Sequence, residues 1–404
     1  MKVLFLCNKS PYPPREGGPI AMNNLIEGLA KAGHKIKVLA INSNKYSVRP
    51  EEIPMDYQQR TQIEHVYVDL SIKPVDAFCN LFTNKSYHVQ RFISKDFSEK
   101  LSAILKDESF DVIQLETLFM GAYIPLIRKL SSAKIVLRAH NIEYLIWERI
   151  SNATKNPIKK FYLKHLSKTL KSFELNTINE VDGIASITEK DGSYFRDKCN
   201  TPVTSISFGL DVNKFPSDNN QIDFPSIYHL GSMNWMPNEE GIQWFLNNVW
   251  PLVLEKNDKL ILYLAGREMP EWLSKSTKYK NVDIIGEVPD AINFIQNKAI
   301  SIVPLLSGSG IRIKIIEAMA MGKAVVSTTI GAEGINYMQE EDLYIADKAE
   351  DFANAIIKLA ESKILCSQVG EKARMLIKND HNSEKIIPKL IGFYNTLIKK
   401  EKNH

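Results

Sequence analysis

The chain has 404 residues, 44% hydrophobic and 24% charged, an ordinary globular composition and enough length for two domains with a full core each. A net charge of +4 is too small to argue for a nucleic-acid partner, though a local basic patch remains open. The 4 cysteines are scattered without a Cys-x-x-Cys pair, which excludes a disulfide framework or a zinc site of the usual spacing and suits a reducing compartment.

The opening residues MKVLFLCNKSPYPP hold an apolar run too short for a signal peptide. No apolar stretch approaches the roughly 18 residues of a membrane span, so a cytoplasmic setting is expected. Short β-branched runs come first at 2–8, 35–42, 111–116, 133–140, 183–188 and 203–208. Between the first two, Ile20, Asn23, Ile26 and Ala30 sit at helical spacing, and Gly33 stops the helix. The segment GLDVNKFPSDNNQIDFP, 209–225, has linker composition. The scheme then repeats at 226–232, 260–266, 282–288, 299–306, 324–329 and 343–347. Short apolar strands alternating with helices predict parallel sheets covered on both faces. The expected fold is α/β: two doubly wound Rossmann-like domains, 1–208 and 226–384, facing across a cleft.

Ligands of such sheets bind at the carboxyl ends of the strands, so the loops there are the candidate sites. After the first strand, Gly17 and Gly18 precede Pro19, which suits the first position of a helix. This is either a plain strand-to-helix turn or an anion site at a helix start. It is not Gly-x-Gly-x-x-Gly, which argues against a nicotinamide or flavin enzyme. His140 and Asn141 end another strand; His140 either touches a substrate or caps the following helix. Glu116 faces the same edge and either orients an acceptor hydroxyl or caps its loop.

The stretch SGSGIRIKIIEAMAMGKAVVST at 307–328 places basic residues where a helix start already carries partial positive charge. With a helix beginning near Ser309 and Gly310, Arg312 falls in the first turn and Lys314 shares a face with Glu317. Either Lys314 and Glu317 form a surface pair, or the loop and both cations hold a phosphate while Glu317 accepts from sugar hydroxyls. No Gly-Lys-Ser/Thr closes the stretch, so it is not a P-loop.

The segment 155–171 has six lysines and no acid. On a helix, Lys160, Lys164, Lys168 and Lys171 share one face, with Ile158, Phe161, Tyr162, Leu166 and Leu170 roughly opposite. That is either a solvated face over a core stripe or a contact with an anionic membrane surface.

The stretch GSGIRIKIIEAMAMGKAVVSTTIGAEG resembles the donor-binding motif of retaining glycosyltransferases of the GT-B fold, the group called family 4 or glycosyl transferases group 1. The likeness extends to YHLGSMNWMPNEEGIQWFLNNVWP, LYLAGRE, IIGEVPD, FGLDVNKF, HNIEYLIWERI and the glycine pair near the N-terminus, and so covers essentially the whole chain. It implies a nucleotide-diphosphate sugar as donor substrate and no further cofactor. Glu317 would bond the ribose, and Arg312, Lys314 and the backbone of Gly308, Ser309, Gly310 and Ile311 would neutralise the leaving diphosphate. Gly17, Gly18 and Gly231 would let the donor approach closely, Arg267 would assist, and His140 would lie beside the transferred sugar. Glu116 and Asn141 would face the acceptor. The last helix, 385–404, would pack back on the first domain.

Two positions depart from the family pattern. Its second glutamate, eight positions before Glu317, is Ser309 here. The Arg and Lys that many relatives carry after the first strand of the second domain are absent from SMNWMPNEEG, so Arg312 and Lys314 are expected to take over the phosphate. No Asp-x-Asp pair or His cluster appears, so the transfer is expected to be metal-independent. The implied activity is that of a retaining hexosyltransferase-type enzyme acting on a saccharide or lipid-linked acceptor, in cell-surface polysaccharide or glycolipid synthesis, in the cytoplasm or peripherally at the membrane. The alternatives are another GT-B enzyme, such as a sugar-nucleotide epimerase or a phosphorylase, and a non-catalytic member that binds nucleotide sugar.

Overall fold

The computed structural model describes residues 1–14, 17–216, 222–274, 278–308 and 311–400. Within these the chain divides into two compact units, one of Met1–Gly209 with Ser383 onward, the other of Leu210–Asn382.

The first unit is built on seven strands: β1 (Lys2–Cys7), β2 (Lys35–Asn42), β3 (Glu64–Tyr67), β4 (Val112–Glu116), β5 (Lys134–Ala139), β6 (Gly183–Ser186) and β7 (Val203–Ser205). Their order is β3-β2-β1-β4-β5-β6-β7, and every neighbouring pair is parallel. Strand β1 shows why the sequence reads as a continuous apolar run. Its alternate residues supply both faces: Leu4 and Leu6 enter one core, while Val3, Phe5 and Cys7 enter the other. The second core is closed by Met22, Leu25, Ile26 and Leu29 of the helix Gly17–Lys31 and by Ile386, Ile387, Leu390, Tyr394 and Leu397 of the helix Ser383–Lys400. The two helices pass so closely that a Cβ on Gly28 would meet Ile387 Cδ1 at 2.4 Å.

The second unit repeats the plan with β8 (Ser226–Leu230), β9 (Ile261–Ala265), β10 (Val282–Gly286), β11 (Ile300–Val303), β12 (Ala324–Ser327) and β13 (Tyr344–Ile345), ordered β10-β9-β8-β11-β12-β13 and again parallel. Both orders reverse direction once, between β1 and β4 and between β8 and β11. Those reversals open crevices at the carboxyl ends of the strands, the binding position of doubly wound sheets.

Each of the twelve expected strand runs holds a strand, most of them trimmed at the carboxyl end. Strand β3 is an addition: EHVY is short and half-exposed at the sheet edge, so it lacks the apolar run that marks the central strands. The helix after β1 starts at Gly17, two residues ahead of the expected first position, Pro19. The segment 209–225 is no free tether where it is described. The Leu210 N–H donates to His381 O at 2.7 Å, and Arg374 Nη1 donates to Phe215 O at 2.9 Å, so its first part belongs to the second unit.

Candidate functional site

In the first unit, the reversal brings together the ends of β1, β4 and β5. Register pairs Cys7 with Glu116 and Glu116 with Arg138, so Glu116 sits in the middle of three strand ends. Its side chain is fully buried, and its Oε2 lies 2.7 Å from His140 Nε2. A carboxylate only accepts, so Nε2 carries a proton and donates to Oε2. Gln114 Nε2 donates to the other oxygen of Glu116, and Tyr394 Oη donates to Gln114 Oε1, which ties the C-terminal helix to the histidine. The expectation that Glu116 meets an acceptor hydroxyl is therefore corrected: its oxygens are engaged inside the protein, and it acts on His140.

Thr117 follows at φ 82°, ψ 158°, a region populated almost only by glycine. The residue is β-branched and its buried hydroxyl has no hydrogen-bond partner among the described residues. Strain of this kind collects at functional sites, and no residue pattern announced it.

The loop carrying His140 and Asn141 is held from below. Glu174, on the helix Pro157–Glu180, accepts from the N–H groups of Glu143 and Tyr144, both at 3.0 Å, and so caps the helix Glu143–Ala153. Burial pushes the Glu174 carboxyl up to about 8, partly offset by these two N–H groups. Burial likewise raises Glu143 to about 7, with the Asn141 side chain opposing. Asn141 thus bonds within its own loop. Gly17 opens its helix exposed to solvent, and at Gly18 a Cβ would meet the Lys9 side chain at 3.1 Å.

In the second unit, Gly231 follows β8 and the stretch from Pro304 to Glu317 follows β11, at the reversal. A Cβ on Gly266 would lie 1.9 Å from the Gly231 carbonyl oxygen, so only glycine allows these two strand ends to meet. The helix begins at Ile313, with Arg312 as its N-cap in extended conformation, one residue outside the first turn where the sequence placed it. The Arg312 guanidinium lies over the Trp235 ring at 5.4 Å. Gly308 has φ 115°, and a Cβ there would strike Arg312 Nη2 at 2.9 Å, so this glycine makes room for the guanidinium. Ser309 and Gly310, expected in the same loop, lie outside the described residues; Ile311 is half-buried.

Lys314 Nζ donates to Asn238 Oδ1 at 2.7 Å, and Asn238 Nδ2 donates to Ser232 O at 2.7 Å. The amide thus fixes the ammonium and the loop after β8 together. Desolvation, with Arg312 nearby, brings Lys314 down to about 7; burial lifts Glu317 to about 7 and lowers Arg312 to about 10. Among the described residues Lys314 and Glu317 form no ion pair, and the ammonium turns to Asn238 instead, so the surface-pair alternative finds no support. Arg267 is exposed, and its carbonyl accepts from Met233 N–H at 3.0 Å. Nδ1 of buried His229 donates to Ile302 O at 3.0 Å, while its Nε2 lies near Gly231 and has no partner among the described residues. Trp235, Asn238 and His229 were not singled out by sequence. They lay within a motif, but a buried amide or imidazole carries no periodic signal.

Residues 224–362 match the family called Glycosyl transferases group 1. This segment is a glycosyl transferases group 1 domain. An uncharacterized 44.6 kDa protein in the cps region of Klebsiella pneumoniae is 23% identical across 95% of this chain and 97% of its own. Sucrose-phosphate synthase from Thermosynechococcus elongatus superposes with a TM-score of 0.72 at 15% identity, covering 99% of this chain and 100% of that one. HepE of Anabaena, solved with UDP, gives 0.70 at 13% identity over 98% and 100%. Similarity at these identities carries the fold, so the glycosyl transferases group 1 domain and its partner unit are the two Rossmann-like halves of a GT-B architecture.

Proposed function

We propose that this protein transfers a sugar from a nucleoside-diphosphate sugar to a saccharide or lipid-linked acceptor, with retention of configuration and without a metal ion. One observation carries the reading. Lys314, desolvated and beside a second cation, has the neutral amide of Asn238 as its hydrogen-bond partner among the described residues. A bound diphosphate supplies the missing negative charge, at a helix start whose N–H groups also attract anions. Glu317, one turn further, suits a ribose diol as hydrogen-bond acceptor.

Breaking a glycosyl–phosphate bond builds negative charge on the leaving diphosphate and positive charge on the sugar. Arg312 and Lys314 oppose the first, and their fixed positions favour the transition state over the ground state. His140, oriented by Glu116, is the first unit's candidate for contact with the transferred sugar, a role that rests on the family resemblance. Retention rests on the family resemblance. HepE was also solved with UDP-glucose, and the Klebsiella relative belongs to a cps region; both support a nucleotide-sugar donor and a polysaccharide setting.

The test is calorimetric titration with UDP, GDP, ADP and CMP in EDTA, alongside Arg312→Ala. Binding of one diphosphate that weakens in the variant is expected. Equal affinity in both proteins would remove Arg312 from the donor site, and dependence on an added divalent ion would overturn metal independence.

A further inference from the structure

Two neighbouring helices of the first unit leave large apolar side chains in solvent. On the helix Pro74–Asn80, Val75 is 72% and Phe78 63% exposed, and Phe82 just beyond it is 79% exposed. On the helix Pro157–Glu180, Ile158 is 82% and Phe161 68% exposed. The stripe expected opposite the lysines is buried at Leu166 and Leu170, but at Ile158 and Phe161 it faces water.

The two stretches border each other. Ala77 packs with Tyr87, Leu163, Leu166 and Tyr162 in one small cluster, and His165 Nε2 lies 3.1 Å from the Asn80 carbonyl oxygen. Ile158, Phe161 and His165 follow at i, i+3 and i+7 and so share a stripe, whose inner end is the one touching Asn80. Phe78 and Phe82 pair edge to face at 5.6 Å. An exposed apolar cluster of this size on a water-soluble surface marks an interaction site.

Its charge selects the partner. Lys155, Lys159, Lys164 and Lys168 are exposed around it, Lys85 follows Phe82, and across residues 74–85 and 155–171 the acid is Asp76 alone, with Glu174 and Glu180 further along the second helix. Exposed rings within a lysine-rich, nearly acid-free rim are the chemistry of an interfacial helix. We propose that this face docks on an anionic membrane surface, its phenylalanines entering the headgroup layer and its lysines pairing with lipid phosphates. The proposal is independent of the transfer reaction, and its test uses neither donor nor acceptor.

The experiment is flotation of the full chain with phosphatidylcholine vesicles, with and without phosphatidylglycerol. Retention is expected on the anionic vesicles and is expected to weaken with salt. Phe82→Ser with Phe161→Ser should lower partitioning about tenfold, and Lys159→Ser with Lys164→Ser by a similar factor at low salt. All four side chains are exposed, so thermal melting should be unchanged; Val75→Ser with Ile158→Ser serves as a second pair. No retention at low salt, retention unaffected by both apolar pairs, or equal binding to neutral vesicles would overturn the proposal. So would a wild-type dimer in sedimentation that the apolar substitutions dissociate, since a second copy would then be the occupant.

Discussion

The imidazole of His140 and the carboxylate of Glu116 meet at 2.7 Å between the ends of β5 and β4, with the carboxylate wholly inside the protein. The pair sets one tautomer and one ring orientation, and the Gln114–Tyr394 relay extends that restraint to the C-terminal helix. A buried carboxylate is costly unless fixed partners compensate it, and the His140 ring and the Gln114 amide do so here.

Replacing Glu116 by Gln keeps the shape and removes the charge that holds the ring. A hydrogen bond to a charged group is worth about 1.5–3 kcal/mol, so turnover should fall about 10- to 100-fold. Calorimetric nucleotide affinity should stay near wild type, since the donor phosphates lie with the other unit's cations in the proposed function. Unchanged turnover in Glu116→Gln would reduce the pair to a structural contact.

At the second site, Asn238 holds the Lys314 ammonium and ties it to the loop after β8. Lys314→Ala should weaken diphosphate binding about 10- to 100-fold, the loss of one charge-assisted contact. Asn238→Ala should cost less, about tenfold, because the ammonium remains but is no longer aimed. An Asn238 variant that binds as tightly as wild type would show that the amide is dispensable.

Nucleotide affinity should peak near neutrality. Lys314 titrates at about 7 in the free protein, and a bound diphosphate favours its charged form, so affinity falls as pH rises through that value. Glu317 also titrates at about 7, its pKa raised by burial, and accepts hydrogen bonds best when ionised, so affinity falls as pH drops through the same range. Titrations across pH should show Lys314→Arg losing the alkaline limb and Glu317→Gln the acidic one. A flat profile in the wild type would contradict both assignments.

Thr117→Gly should stabilise the protein. The observed φ 82°, ψ 158° costs a β-branched residue about 1–3 kcal/mol, against about 0.5–1 kcal/mol of extra backbone entropy that glycine loses on folding. A net gain of about 1 kcal/mol should appear as a higher denaturant midpoint. A lower midpoint would mean that the threonine's contacts outweigh its strain.

Glu174 contributes in the opposite sense as pH rises. Its carboxyl titrates at about 8 in the folded protein, against about 4.3 for an unperturbed glutamate, so the folded state holds a proton that the unfolded chain has released. Its stabilising contribution is complete below about 4.3 and is lost as pH climbs through 8. Glu174→Gln, which cannot ionise, should flatten that decline in melting experiments between pH 5 and about 8. An identical slope in variant and wild type would show that this carboxyl is not raised in the folded protein.

Local patterning determined a good deal of this protein. The apolar runs ending at Cys7, Glu116 and Ala139 are strands because parallel strands covered on both faces must be apolar on both, and that signal needs no tertiary contact. The same holds for Ile300–Val303, buried along its whole length. Strand β3 was invisible because its four residues, EHVY, are partly exposed and form no continuous apolar run.

The site's working contacts were decided by the tertiary structure. Glu116 and His140 are 24 residues apart, and only adjacent β4 and β5 bring a carboxylate to the ring instead of to solvent. Asn238 reaches Lys314 across 76 residues because β8 and β11 flank the sheet reversal. Thr117 is strained, and Ile158 and Phe161 are exposed, through what packs or fails to pack around them. Propensity and periodicity describe a residue's neighbours along the chain, whereas burial, tautomer and pKa depend on neighbours that folding supplies.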